Sequence, residues 1–446
     1  MNRKQQEAEK LLKEYYGNNI TFPINPFELL NSKNVLITFS EFDKLEGIIL
    51  LDSTNNINLV SINVNRPIQR QRFTAAHELG HYMLHKNLEL NTNFACPIYG
   101  TKSQIEKEAD EFASYLLMPT KELNKIVDKY QDKNGNVNYE DCIYIADYFG
   151  VSFEACVKTI CFRLNRFIDK RDNSYITEKI KNFRSLTKRK KLIGFKSDIE
   201  LYSGAIKYTD YYKFNFDNTI GVKFVQELLF HDNHLEDSGL PKDEINDLFN
   251  RYRLNMIDEE FKENCNKEII ETLGNLEMNE YVLKTNDEIK VSKIKILNKL
   301  FYKYSPFPEY GGEYRNVDNL ILGGKIQPVS YINIIDRVYA LEDKLELIIK
   351  NIDNYSLFDY IKEVAYIHYE LTIIHPFIDG NGRMSRAFLN WLLRIKNICP
   401  IYIDSSNKKE YLDALHEIDE SGDCTELQLL IFKSILRTMC ILTHKI

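Results

Sequence analysis

His375-Pro376-Phe377-Ile378-Asp379-Gly380-Asn381-Gly382-Arg383-Met384-Ser385-Arg386 is the stretch on which the reading of the C-terminal half turns. It follows Ile373-Ile374 and leads into Ala387, Phe388, Trp391 and Leu392, so one apolar helix delivers a loop and a second leaves it for the core. Pro376 removes a backbone donor and sets the turn, and Phe377 anchors it. Gly380, Asn381 and Gly382 free the backbone to wrap an anion at a helix N-terminus, where amides point outward. Arg383 and Arg386 are three residues apart and reach the same anion. Asp379 is a hard oxygen ligand suited to Mg²⁺ carrying phosphates, and His375 is a base beside it. A capped structural turn needs neither the arginine pair nor the leading histidine. Together these residues predict chemistry on a phosphate.

A second stretch, His77-Glu78-Leu79-Gly80-His81, points elsewhere. Residues i and i+4 share a helix face, so both histidines can address one metal ion, and Glu78 can reach a water on it. A zinc ion with an open position brings its water towards a pKa of ~7, and a carboxylate completes the proton transfer. Gly80 lets another segment approach the helix closely. A third ligand is needed, and the helix Ser103 to Met118 offers several carboxylates. Ala109, Phe112, Ala113, Leu116 and Leu117 define its buried face, with Glu108 at the edge of that face. His85, one turn past His81, reads as a packing residue or a support for the ligands rather than as a ligand.

The 446 residues suggest roughly two to four domains, and 44% hydrophobic with 28% charged residues is ordinary for chains with buried cores. A net charge of −7 disfavours general nucleic-acid binding, which needs a basic surface. No run approaches the ~20 apolar residues of a membrane span. The polar Met1 to Lys13 stretch predicts no secretory signal. Eight scattered cysteines without a Cys-x-x-Cys pair read as reduced thiols of a cytoplasmic protein.

Along the chain, a charged helix is expected over 2–16. Three strands, Val35 to Phe39, Gly47 to Leu51 and Ile57 to Val64, predict a small antiparallel sheet. Helices follow over Arg66 to Lys86, Ser103 to Met118 and Lys121 to Tyr130. Tyr139 to Phe149, Gly150-Val151-Ser152 and Phe153 to Phe167 form a helix-turn-helix-like pair with Ser152 as N-cap. The weakly patterned, basic 171–199 reads as a linker between domains at 1–170 and 200–446. Beyond it the chain is helical, except for a β-hairpin expected at 310–325. The fold class is therefore mainly α, with an N-terminal α+β domain and an all-helical C-terminal domain carrying a hairpin flap.

Three blocks of the N-terminal part resemble the ImmA/IrrE metallopeptidases: Arg72 to His85, Glu108 to Pro119, and Ile145 to Ser152. The resemblance implies a zincin-like fold with His77, His81 and Glu108 binding Zn²⁺ and Glu78 as general base. It also implies an endopeptidase whose substrate is a repressor- or antitoxin-like partner. The motif at 375–386 resembles that of the Fic family, His-Pro-Phe-x-(Asp/Glu)-Gly-Asn-Gly-Arg-x-x-Arg, at every defined position. Residues 310–325 resemble that family's flap, and Tyr402 to Leu415, with Asn407 and Tyr411, its C-terminal segment. This implies transfer of AMP from Mg-ATP to a Ser, Thr or Tyr hydroxyl of a target protein, with self-modification common. His375 would be the base and Asp379 the Mg²⁺ ligand, with Gly380, Asn381, Gly382, Arg383 and Arg386 holding the nucleotide phosphates. Many such proteins carry an inhibitory helix, (Ser/Thr)-x-x-x-Glu-(Gly/Asn), whose Glu pairs with the second arginine. The nearest match is Leu228 to Asn233, which departs from the pattern twice; it reads either as an ordinary helix end or as a pair of Asp232 with Arg386.

A bifunctional protein with a toxin, stress or phage-defence role follows as the expectation. The alternatives are a non-cleaving sensor domain regulating the transferase, or a transcriptional regulator using the helix pair at 139–167. The acidic pI and the absence of a clustered basic recognition helix weigh against DNA.

Overall fold

Short polar side chains start the helices of this chain. Asn2, Asn25, Ser103, Ser152, Asp172, Asn218, Asn266 and Ser356 each accept a hydrogen bond from a backbone N–H two or three residues on. The computed structural model describes residues 2–52, 57–86, 92–97, 103–258, 261, 265–319 and 327–443. Within them the chain is mainly helical and forms two units, Met1–Tyr211 with Thr443–Ile446, and Tyr212–Leu442.

The first unit opens with α1 (Arg3–Tyr16) and α2 (Pro26–Ser32). Its sheet has strands β1 (Leu36–Ser40), β2 (Leu45–Asp52), β3 (Ile57–Asn63) and β4 (Thr92–Pro97), in the order β1-β3-β2-β4. The expected antiparallel sheet is mixed. β2 pairs antiparallel with β3 and β4, but β1 pairs parallel with β3. β3 is buried on both faces from Leu59 to Asn63, so it takes the centre and β1 must join its far side. β4 has too little apolar alternation to read as a strand from its sequence alone.

Helix α3 (Ile68–His85) lies against β2, β3 and α4 (Gln104–Leu117) and is buried over most of its length. Gly80 makes the α3–α4 crossing possible: a Cβ there would lie 3.2 Å from the Cα of Ala109. α5 (Thr120–Tyr130), α6 (Asp141–Phe149) and α7 (Phe153–Lys158) follow, and a π-turn over Thr159–Leu164 prolongs α7. Gly150 adopts the left-handed C-cap between α6 and α7, and Ser152 caps α7 as expected. Fully buried Arg72 of α3 ties this pair down by donating to the carbonyls of Ile24 and Gly150.

The stretch 171–199 is not an open linker. It folds as α8 (Asn173–Asn182), α9 (Ser185–Leu192) and the start of α10 (Lys196–Ile206), within the first unit. Arg189 of the basic run pairs with Asp147 at 2.6 Å and Asp198 at 2.7 Å. That cation is therefore neutralised rather than displayed.

The second unit contains α11 (Thr219–Leu235), α12 (Lys242–Arg253), α13 (Lys267–Lys284), α14 (Ile294–Phe301), α15 (Ile334–Lys350), α16 (Leu357–Ile374), α17 (Asn381–Ile395), α18 (Lys408–Ser421) and α19 (Thr425–Ile441). Helix α17 is its axis, buried without interruption from Arg383 to Leu393 and packed on α16, α13 and α14. Of the expected hairpin at 310–325, residues 320–325 lie outside the described residues. Its described part, 310–319, contains no strand: a 3-10 turn over Pro308–Tyr310 leads into Gly311-Gly312 and an extended run. That run turns its polar groups towards the motif loop, with the Arg315 N–H donating to Pro376 at 2.9 Å. No helix among the described residues is long and apolar enough to cross a membrane.

Candidate functional sites

In the first unit, α3 brings His77 and His81 onto one face with their Nε2 atoms 3.1 Å apart, both fully buried. The third donor is Glu106, not Glu108. Glu106 Oε2 lies 3.2 Å from His77 Nε2, and its Oε1 lies 3.1 Å from His81 Nε2. Glu108 faces the other way, near His85 at 3.4 Å and Gln104 at 3.0 Å. The reason is helical: positions 106, 109 and 113 share one face, whereas 108 is turned about 200° from 106. The signal was present in the spacing of the buried face, which continues backwards from Ala109 to Glu106.

The remaining contacts orient this set. Asp110 Oδ1 lies 2.9 Å from His77 Nδ1, and His85 Nδ1 lies 3.1 Å from His81 Nδ1. Ring nitrogens held this way from behind are what a metal site needs. Donors at about 2.0–2.1 Å around a tetrahedral ion stand about 3.3 Å from one another, close to the separations here. Charge agrees with geometry. Burial works against protonation of His77, but hydrogen bonds to Asp110, Cys96 and Glu106 prevail and lift its pKa to about 12. Burial likewise works against ionised Glu106, yet bonds from His77 and His81 hold it at about 2. Burial lowers the pKa of His81. The residues present fit a zinc ion. Glu78 stands beside them, fully buried, with neither carboxylate oxygen hydrogen-bonded; burial pushes its pKa up to about 8.

In the second unit, α16 ends at His375, whose left-handed backbone (φ 45°) turns the chain into Pro376. Phe377 is buried beside Tyr314. Asn381 closes the loop with both ends of its amide, accepting from Phe377 N–H at 2.9 Å and donating to Phe377 C=O at 2.8 Å. Its side chain therefore shapes the cradle rather than facing a phosphate, and only its backbone N–H is placed for that. Gly380 (φ 79°) has no room for a side chain, since a Cβ would lie 2.6 Å from Phe301. Asp379 is exposed at the mouth, with Oδ1 2.6 Å from the Gly380 N–H, and suits Mg²⁺ by donor type.

Arg315, which the sequence reading passed over, donates to the carbonyls of His375, Val317 and Val329. It is 3% exposed and pins the run after Gly312 to the motif loop. Burial chiefly, and Arg315 in addition, lower the pKa of His375, against a raising contribution from the Thr372 backbone. His375 is therefore neutral near pH 7 and able to accept a proton. Arg383 pairs with Glu271 at 2.8 Å and lies over the Phe301 ring.

The Asp232–Arg386 pair expected from the sequence is present, and it is half of a clamp. Arg386 Nε meets Asp232 Oδ1, and Nη2 meets Glu236 Oε1 at 2.7 Å. Glu236, one turn on from Asp232, is the carboxylate nearer the cradle: a Cβ on Gly382 would lie 2.1 Å from its Oε1. It holds the ground at the start of α17 that an anionic ligand would claim. Asp232 and Glu236 form an i, i+4 pair, and the second carboxylate lies just beyond the Leu228 to Asn233 match.

The two units thus present one metal-type histidine site and one anion cradle with a base. Residues 32–161 match the family model of the IrrE N-terminal-like domain, and residues 288–393 match that of the Fic/DOC family. One part of the chain is thus similar to the IrrE N-terminal-like domain and another to the Fic/DOC family. Metallopeptidase ImmA of Bacillus subtilis is 30% identical over 119 residues, covering 27% of this chain and 65% of that protein. Protein adenylyltransferase Fic of Aedes aegypti is 33% identical over 135 residues, covering 28% of this chain and 26% of that one. A solved structure of Fic-1 from Caenorhabditis elegans aligns at 17% identity with a TM-score of 0.42, over 73% of this chain and 86% of that one. The chain spans only about a quarter of the curated adenylyltransferases it matches.

Proposed function

We propose that the second unit transfers AMP from Mg-ATP to a Ser, Thr or Tyr hydroxyl of a target protein. The observation that carries this reading is the α17 N-terminus, where a glycine-lined cradle, two arginines and a neutral histidine converge. His375 takes the proton of the attacking hydroxyl. The amides of Gly380 to Gly382, with Arg383 and Arg386, hold the phosphates, and Asp379 holds Mg²⁺. The metal supplies charge neutralisation on the phosphates when bound. Most of the rate comes from positioning and from donors already aimed at developing charge. Arg386 is clamped by Asp232 and Glu236, so the transferase rests in a restrained state. Labelled ATP with Mg²⁺ and cell lysate tests this. Label that depends on His375 is the expected result, and label unchanged in His375→Ala refutes it.

The first unit, in the same reading, is a zinc-dependent endopeptidase acting on a repressor- or antitoxin-like partner. The ImmA-like stretch and the His77–His81–Glu106 set support it. When bound, zinc supplies Lewis acidity and acidifies a water. Glu78 receives the proton, and Asp110 and His85 hold the two imidazoles in line. Co-expression with a repressor-like partner, followed by mass analysis, tests it: cleavage must vanish in Glu78→Ala while zinc content is retained. A toxin, stress or phage-defence role is the setting this pairing suggests.

A further inference from the structure

β4 carries Cys96 into the same site. Its thiol is 2% exposed, and Cys96 Sγ, a His77 ring nitrogen and a Glu106 oxygen all lie within 4.8 Å of one another. The sheet explains the placement. Cys96 is directly opposite Gly47 in the β2–β4 ladder, and residues so paired point to the same face. That face is the one towards α3, since a Cβ on Gly47 would lie 3.2 Å from Glu78 Oε1 and 2.5 Å from the Thr74 methyl. Gly47 thus leaves the space that the Glu78 carboxylate occupies, beside the sulfur. Both Glu78 oxygens are buried and unpaired, an independent sign that this pocket is built for a cation.

We propose that Cys96 is a fourth protein ligand that closes the metal site of the peptidase domain. This rests on the reading of His77, His81 and Glu106 as metal ligands. Catalytic zinc sites hold three protein ligands and keep one position open, whereas sites with four protein donors are closed and structural. Two imidazoles, a carboxylate and a thiolate on one ion would fill its four tetrahedral positions and leave none for water. The domain then rests closed, and hydrolysis requires the sulfur to leave. Thiolate is also the softest donor of the set, so it tightens zinc binding and biases the site against hard cations.

Cobalt substitution of the full-length protein tests this, because a thiolate bound to Co²⁺ gives an intense near-ultraviolet charge-transfer band. That band is expected in the wild type and absent in Cys96→Ala, which still binds cobalt through the remaining donors. Zinc retention against a chelator should fall in the variant by at least the 10–100-fold that outer-shell partners alone are worth. Azide should perturb the visible cobalt bands of the variant but not of the wild type. If Cys96→Ala does not fold by circular dichroism, Cys96→Ser serves, since it too removes the sulfur. Cobalt bound without the band in the wild type, or with the band intact in the variant, overturns the proposal and leaves the three-ligand reading standing. Cobalt binding that is absent, or indifferent to His77→Ala, overturns that reading as well.

Discussion

If the second unit transfers AMP as proposed, Glu236→Ala should release that activity. In the resting structure Arg386 Nη2 donates to Glu236 Oε1 at 2.7 Å, and that carboxylate fills the space over Gly382. Any phosphate bound at the start of α17 must displace it. A hydrogen bond to a charged group contributes about 1.5–3 kcal/mol. The Glu236 side chain is 33% exposed, so solvent screens it and the lower end applies, about 1.5 kcal/mol. That is about a tenfold gain in the population able to accept ATP productively. Removal of the steric obstacle adds to this, so at least tenfold more self-labelling is expected at sub-saturating ATP. Glu236→Gln keeps the bulk and should gain less. The assay is intact-mass analysis after incubation with Mg-ATP. The double variant with His375→Ala should show no label, which assigns the gain to the same site. The reasoning is refuted if Glu236→Ala, folded by circular dichroism, labels no faster than the wild type. Asp232 is a poorer handle, because it is buried and also accepts from Asn275 at 2.9 Å, so its loss would disturb the core.

Other expectations follow from the same geometry. The pKa of His375 is lowered by burial, so the base is neutral through the neutral range. The self-labelling rate should be flat above about pH 6.5 and fall only on the acid side; a rise towards acid pH would contradict a basic role. Glu106→Gln should lose zinc in a stoichiometry assay while Glu108→Gln keeps it, and the reverse result would return the third ligand to Glu108. His368 is fully buried between Ser385 C=O and Tyr411 OH, and its pKa is lowered to about 4, mainly by burial. Its unfolded value is about 6.5, so the unfolded chain binds the extra proton between pH 4 and 6.5, and stability falls as pH drops through that window. The loss is on the order of 3 kcal/mol, readable as a falling thermal midpoint, and His368→Gln should flatten the slope.

The order of residues alone picked out the candidate motifs and the helices that hold them. His77 and His81 share a face because 3.6 residues make a turn, and Gly380 precedes a buried helix because Ala387, Phe388 and Trp391 recur at helical spacing. Such local rules need no partner, so they can be read in one dimension. The helix at 104–117 was legible too, but choosing Glu106 over Glu108 required knowing which way that helix is rotated against α3. Strand pairing was not legible. β1 runs parallel to β3 because β3 is the strand buried on both faces, and a single strand's sequence carries no direction for its neighbour.

What only the tertiary structure decided is what distant segments do to one another. Arg315, Glu271, Glu236 and Cys96 lie 19 to 150 residues from the motif groups they touch at His375, Arg383, Arg386 and His77 in turn. Their contacts arise when burial of apolar faces brings separate elements together, and no local periodicity encodes that. The same distinction applies to the basic run around Arg189, whose charge reads as exposed until Asp147 and Asp198 fold against it. The sequence of this protein therefore names the candidate groups of both sites. Folding decides their restraint, because restraint depends on which buried charges are left facing each other.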